Sequence, residues 1–170
     1  MSKKLICLLF GIFMFLCVST ANAFIVNIDP DDYAGHYYSN GWHKGYKLID
    51  FNTGNHTLGI KNHASGEIEF NVDSSGNVTT LSPTRASSSG NTLIFRTTPV
   101  TIDPGAWPFQ WYSISGLGGV RILTVDKVRI HNLVPDMLYK IEHRGGVLGI
   151  EINVDATGNV TTNTPHKVTV

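Results

Sequence analysis

The sequence predicts an all-β fold of antiparallel hairpins, arranged as β-sandwich-like modules or small barrels, with little or no helix beyond the first 23 residues. Apolar and polar residues alternate over short runs, and turns rich in Gly, Pro and Asn separate these runs. One such run recurs later in the chain. No apolar stripe with helical spacing and helix caps occurs. Many short strands with frequent turns are typical of a sandwich or a small barrel.

The clearest strand signal lies in the middle of the chain. Ile68, Phe70 and Val72 alternate with polar residues, which is the period of a half-buried strand. Asp73-Ser74-Ser75-Gly76 then supplies a tight turn with Gly at the left-handed position. The chain returns over Asn77 to Leu81. These residues therefore predict a β-hairpin.

The same hairpin sequence occurs twice. Glu69–Thr80 recurs as Glu151–Thr162, with nine of twelve positions identical. Two upstream blocks match in the same order, namely Val26–Pro30 with Val100–Pro104 and Tyr46–Leu48 with Tyr139–Ile141. At the first of these offsets Tyr33 matches Trp107, Tyr37 matches Trp111 and Tyr38 matches Tyr112. Three blocks in one order predict a tandem duplication.

The blocks also set the expected boundaries. We expect the first repeat at 24–80, a Ser-rich connector at 81–94 and the second repeat at 95–170. The two repeats have either separate cores or one shared core. Within the second repeat, Leu133–Tyr139 resembles the start of a strand in fibronectin-type sandwiches, in which a buried Tyr follows such a turn.

The N-terminus predicts export. Lys3 and Lys4 precede an apolar run from Leu5 to Val18, and Ala21-Asn22-Ala23 has small residues at the positions read by a signal peptidase. We expect cleavage after Ala23 and a mature protein in the periplasm or outside the cell. The alternative is a retained anchor, but the run is short for a bilayer span and no second run follows. No transmembrane segment is therefore expected after removal of the signal.

Cysteine and charge restrict the function classes. Cys7 and Cys17 both lie in the predicted signal, so the mature protein has no disulfide and no thiolate chemistry. An exported cysteine-free chain of this size suits a bacterial protein better than a small animal secreted domain. The chain has 13 basic and 13 acidic side chains and no basic run, so nucleic acid is not an expected partner.

Aromatic residues are the most distinctive candidates for binding. Each predicted repeat contains an aromatic cluster that can stack on the apolar faces of sugar rings. The candidate ligand-binding residues are Tyr33, Tyr37, Trp42, Trp107, Trp111 and Tyr112. The alternative, favoured for the set as a whole, is that these rings form the core. Adjacent Trp111 and Tyr112 would point to opposite faces of a strand, so only one of them is expected to be buried.

Metal and catalytic signals are weak. Asp29, Asp31 and Asp32 form a weak candidate calcium site, but the second repeat has Gly105 and Ala106 after its Asp-Pro, so turns at strand ends are the favoured interpretation. No cofactor is expected. The sequence has no Gly-x-Ser-x-Gly, no His-Glu-x-x-His and no phosphate-binding Gly loop.

These observations favour a secreted, non-catalytic binding or adhesion module, with a glycan or a host or cell-surface protein as its partner. Binding would use aromatic stacking together with hydrogen bonds from amides and carboxylates. One alternative is a structural or protein-interaction component of a surface or matrix that assembles through exposed strand edges. Another is a hydrolase whose carboxylates come from distant parts of the chain. Enzymatic activity stays open, with a non-enzyme preferred.

Overall fold

The computed structural model describes residues 22–60, 66–103, 111–115, 117–121, 128–143 and 149–165, and only the backbone of Trp111, 118–121 and His143. These residues form sixteen β-strands and no helix, which confirms the all-β prediction. Residues 1–21, with most of the predicted signal, lie outside them. No helix among the described residues is long and apolar enough to cross a membrane.

The strands follow one another with short connections. They are β1 (Ala23–Asp29), β2 (His36–Tyr38), β3 (Trp42–Lys44), β4 (Lys47–Asn52), β5 (Gly54–Ile60), β6 (Glu67–Val72), β7 (Val78–Thr80), β8 (Ala86–Ser89), β9 (Thr92–Phe95), β10 (Thr98–Ile102), β11 (Trp111–Ile114), β12 (Gly118–Arg121), β13 (Arg129–Leu133), β14 (Met137–His143), β15 (Ile150–Val154) and β16 (Val160–Thr162). We call β1–β9 the first half of the structure and β10–β16 the second half.

Four sheets form two sandwich-like pairs, and none of them closes into a barrel. In the first half, sheet A has the order β4-β1-β9-β8 and sheet B the order β3-β2-β5-β6-β7. In the second half, sheet C contains β10 and β13, and sheet D has the order β12-β11-β14-β15-β16. Of the described strand pairs, β1 with β9 is parallel. The others are antiparallel.

The two halves share a pairing order. The pair β1–β4 of sheet A corresponds to β10–β13 of sheet C, and each strand of sheet B corresponds to the strand at the same place in sheet D. The registers agree as well, since Gly54 pairs with Val72 where Met137 pairs with Val154. A tandem duplication requires this correspondence. Duplication as the origin of the chain stays a prediction.

Two of the sequence matches differ from the strand register. Tyr46–Leu48 leads into β4, which pairs with β1, whereas Tyr139 lies in β14, which pairs with β15. These blocks are therefore not equivalent. Tyr37 pairs with Ile60 as Tyr112 pairs with His143, so Tyr37 corresponds to Tyr112 and not to Trp111. A short aromatic block can match by residue type while its strand has another place in the sheet.

The repeated hairpin turn has the predicted geometry in both halves. Gly76 has a φ of 82° and Gly158 a φ of 88°, the left-handed region that favours glycine. In the second turn, Asp155 Oδ1 accepts hydrogen bonds from the backbone N–H groups of Thr157 and Asn159 at 2.8 and 2.9 Å. The Thr157 hydroxyl bond is the largest of several that lower the pKa of Asp155 to about 2. This turn is therefore determined by its local sequence.

Aromatic rings join sheet A to sheet B. Phe51 and Phe70 meet edge to face with centroids 5.0 Å apart, and Phe95 meets Tyr37 in the same way at 5.4 Å. Each such pair contributes about 0.5–1.5 kcal/mol beyond the area that it buries. The second half joins its sheets through the ring of Tyr112. Buried apolar side chains occur in both halves, and every strand pair with extensive contacts lies within one half.

Arg85 connects the two halves at the surface. One guanidinium nitrogen donates to the Glu67 carbonyl at 2.7 Å, and another donates to the Asp136 carbonyl at 2.8 Å. The second nitrogen also lies 3.4 Å from the Asp136 carboxylate. An exposed ion pair stabilises by about 0–1 kcal/mol, so the charge attraction adds little to the two hydrogen bonds of Arg85 to backbone carbonyls.

Tyr139 is fully buried in β14. Its hydroxyl donates to the Val134 carbonyl at 2.8 Å. Burial raises the pKa of Tyr139 well above its usual value, and the neighbouring Tyr33 adds to this effect. The Tyr33 hydroxyl is also buried but has no hydrogen-bond partner among the described residues. The two hydroxyls therefore differ in what they contribute to stability.

We expect Tyr139→Phe to lower the free energy of unfolding by about 0.5–1.5 kcal/mol, because the Val134 carbonyl loses its donor. Tyr33→Phe is the matched control and should be neutral or stabilising, because it removes a buried hydroxyl without a partner. Urea denaturation of both variants measures the difference. Equal losses would contradict the hydrogen-bond assignment.

We also expect Gly158→Ala to destabilise more than Gly90→Ala. Both glycines have positive φ, which costs any other residue about 1–2 kcal/mol. A Cβ at Gly158 would lie 2.9 Å from Thr98 Cγ2, whereas a Cβ at Gly90 would have no atom within 4 Å. The clash should add about 1–3 kcal/mol in urea denaturation. Equal losses would show that Thr98 moves away without cost.

Candidate functional site

Three of the six predicted binding residues lie in the core. Tyr33, Tyr37 and Tyr112 expose 2%, 0% and 3% of their surface, so their rings have no face open to a ligand. Trp42 is exposed. Trp107 lies outside the described residues, as does the side chain of Trp111. The idea of matching aromatic platforms in both halves therefore rests on one described residue.

Local contacts account for the burial of Tyr37. Its ring packs against Phe95, and its hydroxyl donates to the Gly45 carbonyl at 2.8 Å. Burial raises the pKa of Tyr37 to about 12. Because successive side chains of a strand point to opposite faces, Tyr38 points away from the core and is 48% exposed.

Tyr38 and Trp42 form an exposed aromatic pair. They lie opposite each other on β2 and β3, and their rings meet edge to face with centroids 5.2 Å apart. The turn between them includes Asn40, which has a φ of 52°, and the Ser39 carbonyl accepts a bond from His43 Nε2 at 2.9 Å. The hairpin therefore holds an exposed tyrosine ring with a tryptophan beside it.

A cleft of about 330 Å³ lies next to Tyr38. This volume is at the lower end of the range for small-ligand sites, about 300–1,000 Å³. The cleft is formed where the end of β4 in sheet A meets β2 and β5 in sheet B, and most of its lining residues are exposed. They are Ala23, Tyr38, Ser39, Asn40, Asp50, Phe51, Asn52, His56 and Thr57.

The cleft combines one aromatic ring with several hydrogen-bonding side chains. Asn40, Asn52 and Thr57 offer donors and acceptors, and Asp50 offers acceptors alone when it is ionised. Asp50 is the one acidic residue of the lining, which has no Lys or Arg. Such a set can bind hydroxyl groups while a sugar ring lies against the tyrosine.

The histidine of the cleft is held in position. The His56 ring lies 4.8 Å from Phe51 and 5.6 Å from Phe70 between centroids. Its Nε2 atom lies 2.7 Å from the Asn52 carbonyl, an acceptor, so Nε2 carries the proton. His56 corresponds in register to Tyr139, whose hydroxyl also bonds to the turn preceding its strand. This position therefore has a structural role in both halves.

The acidic residues after β1 act as turn acceptors. Asp29 Oδ1 accepts the backbone N–H of Asp31 at 3.0 Å, and Asp31 Oδ2 accepts the Thr97 hydroxyl at 2.9 Å. In the described parts of the chain, no group of three or more His, Cys, Asp or Glu residues is placed to hold a metal ion. Asp29 and Asp31 therefore act as hydrogen-bond acceptors after β1, and the weak calcium site with Asp32 stays a prediction.

The sequence indicated only part of this site. Trp42 was a candidate, and the alternation that buries Tyr37 would have identified Tyr38 as exposed. Asp50, Asn52 and Thr57 have no distinctive local pattern. They reach the cleft because β4 and β5 belong to different sheets that meet there.

No family model matches the chain, and comparisons with curated proteins and with solved structures found no significant match. The site must therefore be interpreted from its own geometry.

The second half has a polar side-chain pair, Tyr112 with His131, at the positions that Tyr37 and Ile49 occupy in the first half. The Tyr112 hydroxyl lies 2.8 Å from His131 Nε2, and the rings meet edge to face at 5.9 Å. Burial, assisted by the Arg129 charge, lowers the pKa of His131, and burial raises that of Tyr112 to about 12. Above its lowered pKa, His131 therefore pairs with the tyrosine hydroxyl as a neutral imidazole.

This pair predicts a pH dependence of stability. Because the pKa of His131 is lower in the folded state, the unfolded chain binds more protons once the pH falls below its ordinary value of 6.5. The stabilisation is present above that value and is lost as the pH falls towards the folded pKa. His131→Gln keeps an acceptor for Tyr112 but does not titrate. When the pH is lowered from about 8 to about 5, we expect the wild type to lose more unfolding free energy than His131→Gln. Urea denaturation of both proteins at each pH measures these losses. A constant difference would contradict the assignment.

Proposed function

We propose that this chain is an exported, non-catalytic binding module that holds a neutral glycan in the cleft beside Tyr38. The observation that carries the proposal is the exposed Tyr38 ring, supported edge-on by Trp42, at the side of a cleft lined by polar side chains. Large exposed aromatic rings next to convergent polar groups are typical of binding sites.

Binding would combine two kinds of contact. The apolar C–H face of a sugar ring would lie on Tyr38, and the sugar hydroxyls would bond to Asn40, Asp50, Asn52 and Thr57. Stacking would supply affinity, and the amides and the carboxylate would select the orientation of the hydroxyls. An open cleft of this size suits the end of a glycan or a short stretch of it.

The charge of the lining favours neutral glycans. Asp50 would repel the carboxylates of acidic sugars, and no basic side chain of the lining would attract them. If the signal is cleaved before Phe24, the new α-amino group lies at the end of β1 that borders the cleft and offsets the charge of Asp50. The mature cleft would then have little net charge.

The same lining argues against glycan hydrolysis. Most glycosidases place two carboxyl groups on either side of the scissile bond. Asp50 is the one carboxylate of this cleft. The proposal is therefore binding without turnover, in agreement with the absence of local catalytic motifs.

We expect Tyr38→Ala to weaken glycan binding by about tenfold or more, equal to about 1.4 kcal/mol, because the stacking surface is lost. The matched control is Tyr46→Ala, which removes a similarly exposed tyrosine that does not line the cleft and should leave binding unchanged. The measurement is binding to a panel of immobilised neutral and acidic oligosaccharides, with tryptophan emission followed in parallel.

The protein used should begin at Phe24 and have no N-terminal tag, because Ala23 lines the cleft and a tag would enter it. Tyr38→Phe should retain most of the affinity, since the ring remains. Equal effects of Tyr38→Ala and Tyr46→Ala, or no binding to any glycan of the panel, would refute the proposal.

A further inference from the structure

The corresponding strands β1 and β10 differ on one edge. In sheet A, β1 lies between β4 and β9, with Asn27, Ile28 and Asp29 paired to the residues of β9 in parallel. In sheet C, β10 pairs with β13, and within the part of the chain that the structure describes no strand lies along its second edge. The position that β9 fills in the first half thus has no described counterpart in the second.

In the first half, β9 contributes both core side chains and hydrogen bonds. Leu93 is fully buried and Phe95 is 2% exposed, with its ring against Tyr37. The connection into β9 also takes part, since the Asn27 N–H donates to the Asn91 carbonyl at 2.9 Å. This strand therefore closes one side of the first sandwich.

The corresponding side of the second sandwich is less covered. Ile28 is fully buried beside β9, whereas its counterpart Ile102 is only partly buried. Val78 exposes 5% of its surface and donates its N–H to Gly90, whereas its counterpart Val160 is only partly buried. The two apolar positions next to the β8–β9 hairpin in the first half are thus more exposed in the second.

The second edge of β10 can accept a strand. Pro99 has no N–H and lies opposite Asn132, so it donates no hydrogen bond to β13. Alternate residues of a strand direct their backbone N–H groups to the same side. The N–H of Thr101, two residues later, therefore points away from β13. Thr101 corresponds to Asn27, the first residue of β1 that pairs with β9. Pro99 precedes this stretch and so does not obstruct it.

We propose that the second edge of β10 binds an extended strand of another polypeptide. This strand runs parallel to β10 and carries bulky apolar residues at alternate positions, as Leu93 and Phe95 do on β9. Its backbone continues sheet C, and its apolar side chains cover Ile102 and Val160. The inference is independent of the proposed glycan site, which lies in the first half.

The strand β9 of the same chain cannot fill this position. It is paired with β1 and β8, and Arg96 and Thr97 alone separate it from β10. A connection of two residues is too short for β9 to lie parallel to β10 along its second edge. Among the described strands, β9 is the one that fills the equivalent position in the first half, so its sequence is the guide to the chemistry of an occupant of the β10 edge.

The test uses the full mature chain and a fluorescent peptide with the sequence of residues 91–97, Asn-Thr-Leu-Ile-Phe-Arg-Thr. Fluorescence anisotropy should show saturable binding. The control peptide has Asp in place of Leu93 and Phe95 and should not bind, because its side chains cannot enter the apolar side of sheet C. Absence of saturable binding, or equal binding of both peptides, would overturn the proposal.

Two variants of the protein locate the binding edge. Thr101→Pro removes the outward N–H without removing a bond to β13, and should weaken peptide binding by about tenfold. Thr101→Val keeps the N–H and the shape of the side chain and should bind like wild type. If Thr101→Pro does not fold, amide hydrogen exchange in the wild type decides, since the peptide should protect the Thr101 N–H. Unchanged affinity of a folded Thr101→Pro, or unchanged exchange at Thr101, would overturn the proposal.

Discussion

The parallel pairing of β9 with β1 is the interaction on which the rest of the structure depends. It places Phe95 against Tyr33 and Tyr37, which closes the core between sheets A and B. It also determines where the chain enters the second half, because β10 begins directly after β9. A parallel pair needs a long crossover, and here the crossover is the whole of the first sandwich.

The two halves show how one pairing order supports different surfaces. Both pair their first strand antiparallel in the smaller sheet, and both contain the same Asp-x-x-Gly-Asn hairpin in the larger one. They differ at corresponding positions, since His56 packs between phenylalanines where Tyr139 bonds to Val134. They differ again at one sheet edge, since β9 pairs with β1 whereas β10 has no described strand at the equivalent edge. The shared features lie in backbone pairing, and the differences lie in side chains and edges, where function is more easily varied.

The candidate binding site follows from this core. The alternation that directs Tyr37 into the core leaves Tyr38 outside, and the hairpin that contains Asn40 places Trp42 against it. The cleft exists because the end of β4, an edge strand of sheet A, is joined by a single residue to β5, an interior strand of sheet B. A rigid aromatic ring beside a polar cleft therefore arises without any special backbone strain in the strands.

The sequence by itself determined the strand class, the repeated hairpin and its turn, because alternation, Asp side-chain bonds and a left-handed Gly are properties of neighbouring residues. It also favoured the core for most of the aromatic residues, as Tyr33, Tyr37 and Tyr112 show. Only the tertiary structure decided that Tyr46 precedes β4 whereas Tyr139 lies in β14, that Asp50 and Asn52 reach the same cleft as Tyr38, and that β9 pairs with β1. These features depend on which strands pair and which sheets meet, and residues far apart in the chain carry no local signal of that pairing.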